Sequence, residues 1–112
     1  MAVKLIAVDM DGTFLNPQHE YNKARFGEQY QQLLQRDIKF VVASGNQYYQ
    51  LKSFFDDLDT QIAYVAEGGG YVVDKEQEIY CGKLEPEQVT QVLEWISRTP
   101  GINTIVCGRK GA

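Results

Sequence analysis

Soft metal ligands and positive charge are scarce in this chain. It has one histidine and two cysteines among 112 residues. His19 has no second imidazole or thiolate beside it, which excludes a zinc site built around it. Next to Asn16-Pro17-Gln18 it reads as a solvated loop residue. Cys81 and Cys107 are too few for a disulfide framework and lack CxxC spacing, so both are expected as reduced, buried thiols on strands. Eleven basic residues face fifteen acidic ones, for a net charge of -4. The only adjacent basic pair is Arg109-Lys110, so the chain has no basic face for nucleic acid. No apolar run approaches the roughly 18 residues of a membrane span. The apolar start meets Asp9 too early for a secretory leader, so the expected location is cytoplasmic. What remains is 44% hydrophobic and includes seven Tyr and five Phe, enough to build a core. The length suits one domain or part of one.

Strand-like and helix-like segments alternate. Val3–Val8 is short, apolar and β-branched, and is expected to be a strand buried on both faces. Phe26, Tyr30, Leu33 and Leu34 form one helical stripe, with Asn22 placed to cap it. Ile38–Ala43 is a second strand, Tyr48–Leu58 a second helix and Ile62–Ala66 a third strand. This order predicts an α/β fold with a Rossmann-like parallel sheet. In such sheets ligands sit beyond the carboxyl ends of the strands. After Gly68-Gly69-Gly70 the pattern predicts a β-hairpin, Tyr71–Val73 and Glu78–Cys81, with a four-residue loop from Asp74 to Gln77. Pro86 suits the first position of a third helix, striped by Val89, Val92, Leu93 and Ile96 and stopped by Pro100-Gly101. Trp95 lies off the centre of that stripe and is expected to be half exposed. Ile102–Cys107 is expected to be a last strand. Residues 84–112 thus read as the beginning of a second small α+β layer, distinct from residues 1–83.

The chemistry gathers where the first strand stops. Asp9 follows it directly and Asp11 lies two residues on. In extended backbone, positions i and i+2 face the same way. Two carboxylates held together repel unless neutralised, and a divalent cation with oxygen ligands, such as Mg²⁺, would do this. An Asp can attack phosphorus to give an acyl-phosphate. A second carboxylate can protonate the leaving oxygen and later activate water. Gly12 allows a sharp turn, and Thr13 offers a hydroxyl for a cap or a phosphate oxygen. Read as a plain turn, the cluster would need no function, since Asp and Gly are common in turns.

Asp9-Met10-Asp11-Gly12-Thr13-Phe14-Leu15 after an apolar strand resembles the first motif of the haloacid dehalogenase-like (HAD) hydrolases. Ser44-Gly45-Asn46, 35 residues after Asp9, resembles their second. The run Val41–Leu51 and the turn Ala66-Glu67-Gly68-Gly69 are similar to the Cof-type subfamily and its sugar-phosphate phosphatases. The resemblance implies a Mg²⁺-dependent phosphatase of small phosphate monoesters working through an aspartyl-phosphate. Asp9 would be nucleophile and metal ligand. Asp11 would be the acid/base, with its carbonyl on the metal. The amides of Met10 and Asp11, the Ser44 hydroxyl and the Gly45 amide would hold phosphate oxygens. Asn46 and Gln47 would approach the substrate, or simply sit in a surface turn.

The resemblance further implies that residues 1–83 are the N-terminal part of a HAD core and residues 84–112 the beginning of an inserted cap. Relatives commonly carry Glu-Asn-Gly where this chain has Glu67-Gly68-Gly69, which leaves Gly68 without an expected role. The family's lysine and its later metal-binding carboxylates would follow the cap. Lys110 falls in the cap segment and is not assigned the lysine's role. Asp56, Asp57, Asp59 and Asp74 are poor substitutes for the carboxylates. Three other readings compete: a phosphomutase with the same nucleophile, a truncated remnant without catalysis, and a phospho-accepting receiver domain. The last would need an Asp ending the third strand, where this chain has Glu67.

Overall fold

The computed structural model describes residues 2–56, 58 and 61–110. Five strands form one mixed sheet in the order β1-β2-β3-β4-β5: β1 Leu5–Val8, β2 Lys39–Ala43, β3 Ala63–Ala66, β4 Tyr71–Asp74 and β5 Gln77–Cys81. β1, β2 and β3 run parallel, with Val8 opposite Val42 and Ala43 opposite Val65. The hairpin continues the same sheet, β4 antiparallel to β3.

Helix α1, Lys23–Gln35, starts where Asn22 Oδ1 accepts the Arg25 N–H at 3.0 Å. This satisfies one of the orphan donors of the first turn. Its stripe buries Phe26 and Tyr30 against Phe40 of β2, with ring centroids 5.0 and 6.4 Å away. Leu33 is half-buried and Leu34 stays exposed. Asp37, at φ +56°, turns the chain into β2 while Ile38 N–H closes onto Leu33 O. Helix α2, Tyr48–Ser53, is shorter than its apolar spacing predicts. Phe55 and Leu58 lie beyond it in turns closed by Phe55 N–H to Lys52 O and Leu58 N–H to Phe55 O. Those turns keep Phe55 fully buried, so the stripe reports the core better than the helix length. Asp56 is exposed, and Asp57 and Asp59 lie outside the described residues.

Three expectations need correction in this first unit and the segment that follows it. β1 is not buried on both faces: Leu5, Ile6 and Ala7 are exposed and Val8 is half-buried. Among the described residues β1 is an edge strand paired with β2 alone, and α1 packs on β2 and α2 on β3. The hairpin loop has two residues, not four, because Asp74 and Gln77 still pair. Lys75 and Glu76 carry φ of +50° and +65°. Two positive φ angles suit the type I′ turn, whose twist matches the flanking strands. Residues 102–107 form no strand. A strand exists through its ladder, and in this segment the only regular element among the described residues is a helix.

The chain divides into two compact units, Met1–Cys81 and Gly82–Ala112. The second holds helix α3, Pro86–Ser97, opened by Pro86 and by a reciprocal cap between Glu85 and Gln88. It ends short of Pro100. Val89 and Ile96 are half-buried, while Val92, Leu93 and Trp95 are exposed, Trp95 to 61%. Cys81 is half-buried on β5, but Cys107 is exposed and lies in no strand, contrary to expectation. No described helix is long and apolar enough to cross a membrane.

Candidate active site

Because β1, β2 and β3 are parallel and in close register, their carboxyl ends share one edge of the sheet. The segments that follow them, Asp9–Thr13, Ser44–Asn46 and Glu67–Gly69, therefore converge there. Each is shaped by its own backbone. Met10 O accepts from Thr13 N–H at 3.2 Å and from Leu15 N–H at 2.9 Å, and Asp9 O accepts from Phe14 N–H at 3.1 Å. Gly12, at φ +75°, makes so tight a wrap possible. Met10 and Leu15 plug into the core at 0% and 2% exposure. Their burial leaves the Asp9 and Asp11 side chains facing solvent, as the alternation predicts.

The second loop is tied to both neighbours. Asn46 Nδ2 donates to Asp11 Oδ2 at 3.3 Å. Ser44 Oγ accepts the Asn46 N–H at 3.1 Å, and Ser44 N–H donates to Val65 O. A Cβ added at Gly45 would meet nothing within 4 Å, so the space around that turn is open. From the third strand end, Glu67 N–H donates to Asn46 O at 2.9 Å and Gly68 N–H to Ser44 O at 3.1 Å. Gly68 sits at φ +65° and ψ 21°, the left-handed region. It therefore has a role the sequence left unassigned. Glycine and asparagine tolerate that region best, so either residue suits the position.

Asp9, Met10, Asp11, Ser44, Gly45 and Asn46 thus lie along one edge, with Met10 present through its backbone only. Gln47 precedes α2 as its N-cap. Tyr48 belongs to the core, packed 5.3 Å from the Tyr64 ring, whereas Tyr49 is exposed. Sequence reasoning missed His19, whose Nδ1 lies 3.2 Å from Asp11 Oδ1. Seven residues of loop separate the two, and no periodicity links them. Asp74 lies at the opposite end of the strands, opposite Ala63 and paired with Lys39. A cavity of about 270 Å³ at that far end is lined by Tyr30, Lys39, Phe40 and Asp74, away from the paired acids.

The paired acids themselves offer only oxygen ligands, which suit Mg²⁺. The set is also small: among the described residues no three His, Cys, Asp or Glu side chains gather as a metal cluster.

Comparison with known proteins places the chain in a family. A family model described as haloacid dehalogenase-like hydrolase matches residues 6–112. The chain belongs to that family. It is 50% identical over its whole length to the Escherichia coli 5-amino-6-(5-phospho-D-ribitylamino)uracil phosphatase YbjI, of which it covers 41%. It is 29% identical over 96 residues to the Bacillus subtilis phosphatase YwpJ, covering 33% of that protein. Among solved structures, SMU.1108c from Streptococcus mutans matches 89% of this chain at 40% identity and a TM-score of 0.81, with 38% of that protein covered. A haloacid dehalogenase-like hydrolase from B. subtilis matches 85% of the chain at 25% identity and a TM-score of 0.69. The chain thus spans about two-fifths or less of the length of these relatives.

Proposed function

We propose that the whole protein is a cytoplasmic, Mg²⁺-dependent phosphatase of small phosphate monoesters, and that this chain contributes its nucleophile and its proton carrier. The observation that supports this most is the pair of exposed carboxylates, Asp9 and Asp11, at the carboxyl edge of the sheet beside the Ser44–Asn46 turn. The name of the 50% identical E. coli relative describes a phosphate on a ribityl chain. It favours a sugar or polyol phosphate as substrate.

In this reading an Asp9 carboxylate oxygen attacks phosphorus and the ester P–O bond breaks. Asp11, protonated, gives its proton to the departing oxygen. A water then attacks the phosphorus of the aspartyl-phosphate while Asp11 takes the proton back. The acyl-phosphate bond breaks and inorganic phosphate leaves, returning Asp9 to its starting form. The Met10 and Asp11 amides, the Ser44 hydroxyl, the Gly45 amide and Asn46 would orient the phosphoryl oxygens. Mg²⁺, held by Asp9 and the Asp11 carbonyl, would supply charge neutralisation. Residues 1–83 would form the N-terminal part of the catalytic core and residues 84–112 the start of the cap. The test is chemical trapping. Whole protein quenched during turnover and reduced with borohydride should carry homoserine at position 9. Absence of that product under steady turnover would count against the intermediate.

A further inference from the structure

Both oxygens of the Asp11 carboxylate are occupied, from two different loops. Asn46 Nδ2 reaches Oδ2 at 3.3 Å and His19 Nδ1 reaches Oδ1 at 3.2 Å. The Asn46 amide donates to Oδ2, and His19 Nδ1 can donate or accept according to its tautomer, so the contact is open to either form of the carboxyl group. The His19–Asp11 pair is open to water, with 69% and 55% of the two side chains exposed. Such a contact contributes little to stability. Its surroundings are nonetheless built. Asn16 Oδ1 accepts from Gln18 N–H at 3.0 Å and from Glu20 N–H at 2.9 Å. Asn16 O accepts the His19 N–H, and Asn16 N–H donates to Glu20 O, both at 2.9 Å. This small loop holds His19 at φ +60°, a conformation uncommon for a residue with a side chain.

We infer that His19 is a positioning residue: together with Asn46 it fixes the rotamer of Asp11, so that the carboxyl group stays presented at the edge where the phosphoryl group would react. The inference rests on the proposed role of Asp11 as proton carrier. A carboxyl group able to swing freely between loops would meet the leaving oxygen less often, which lowers turnover rather than substrate binding.

The experiment uses the whole protein with Mg²⁺ and ribose 5-phosphate, an alkyl phosphate whose leaving oxygen depends on the Asp11 proton. His19→Gly removes the imidazole while suiting the positive φ. His19→Asn also suits that φ and places an amide N–H close to where Nδ1 was. His19→Gly should lower kcat by about tenfold with KM little changed, by analogy with losses at groups that orient a functional ligand. His19→Asn should restore most of it. Added to Asp11→Asn, His19→Gly should cost nothing more, because its effect passes through Asp11. Unchanged kcat in His19→Gly, no rescue by asparagine, or an undiminished loss in the Asp11→Asn background would each overturn the inference. Asp9→Asn, run beside them, separates the two levels. If it retains activity, or if the unsubstituted protein shows no Mg²⁺-dependent turnover, the underlying phosphatase reading fails and His19 loses its assignment with it.

Discussion

The Gly68 N–H donates to the Ser44 carbonyl oxygen at 3.1 Å, so the end of the third strand holds the loop that follows the second. The bond requires Gly68 at φ +65°. Gly68→Ala should destabilise the protein by about 1 kcal/mol, since a Cβ disfavours that conformation. Gly68→Asn should cost less, because asparagine tolerates it. Urea denaturation of the three proteins checks the order.

Asp11 should matter more for poor leaving groups than for good ones. Asp11→Asn keeps the shape but cannot shuttle a proton. Its loss in kcat should be about a hundredfold or more on an alkyl phosphate and smaller on para-nitrophenyl phosphate, whose leaving oxygen needs less protonation. Steady-state kinetics on the two substrates measures the difference.

Tyr30 has a buried hydroxyl with no hydrogen-bond partner among the described residues. Burial raises its pKa above the ordinary 10.0. The unfolded chain therefore ionises first, and Tyr30's contribution to stability is complete below that value and lost as pH climbs through the raised one. Tyr30→Phe should stabilise the fold by about 1 kcal/mol at neutral pH, by removing an unsatisfied polar group. It should also flatten the decline in stability above pH 10. Thermal melts across neutral and alkaline buffers test both effects.

Residues 1–112 expressed alone should hydrolyse para-nitrophenyl phosphate far more slowly than the whole protein at the same Mg²⁺ concentration. In the proposed site Asp9 and the Asp11 carbonyl would give only two oxygen donors, too few to hold Mg²⁺ firmly, and among the described residues no three His, Cys, Asp or Glu side chains gather as a metal cluster. Comparable turnover by the two would show that these residues suffice.

The architecture was legible wherever a local pattern had a local cause. The Asn22 cap, the Phe26–Tyr30 stripe and the apolar runs of β2 and β3 each appear where periodicity places them. The Asp9–Asp11 alternation was equally readable, because Met10 between them is a core residue. Features that depend on non-local neighbours were not. Whether β1 is buried depends on what packs over it, which its own residues do not encode. The strand reading of 102–107 failed for a related reason: β-branched composition does not by itself make a ladder. The hairpin loop was misjudged because Lys75 and Glu76 adopt left-handed angles that their residue types seldom choose. His19 was read as a solvated loop residue, and it is exposed; its contact with Asp11 arises from a turn set by Asn16 that no spacing rule anticipates.

The most direct test of the account is the turnover of Asp9→Asn in the whole protein, with folding checked by circular dichroism. An amide in that position keeps the size and loses the attacking oxygen anion, so kcat should fall by about a thousandfold or more while the fold is retained. Hydrolysis at the unsubstituted rate in a folded Asp9→Asn protein would contradict it.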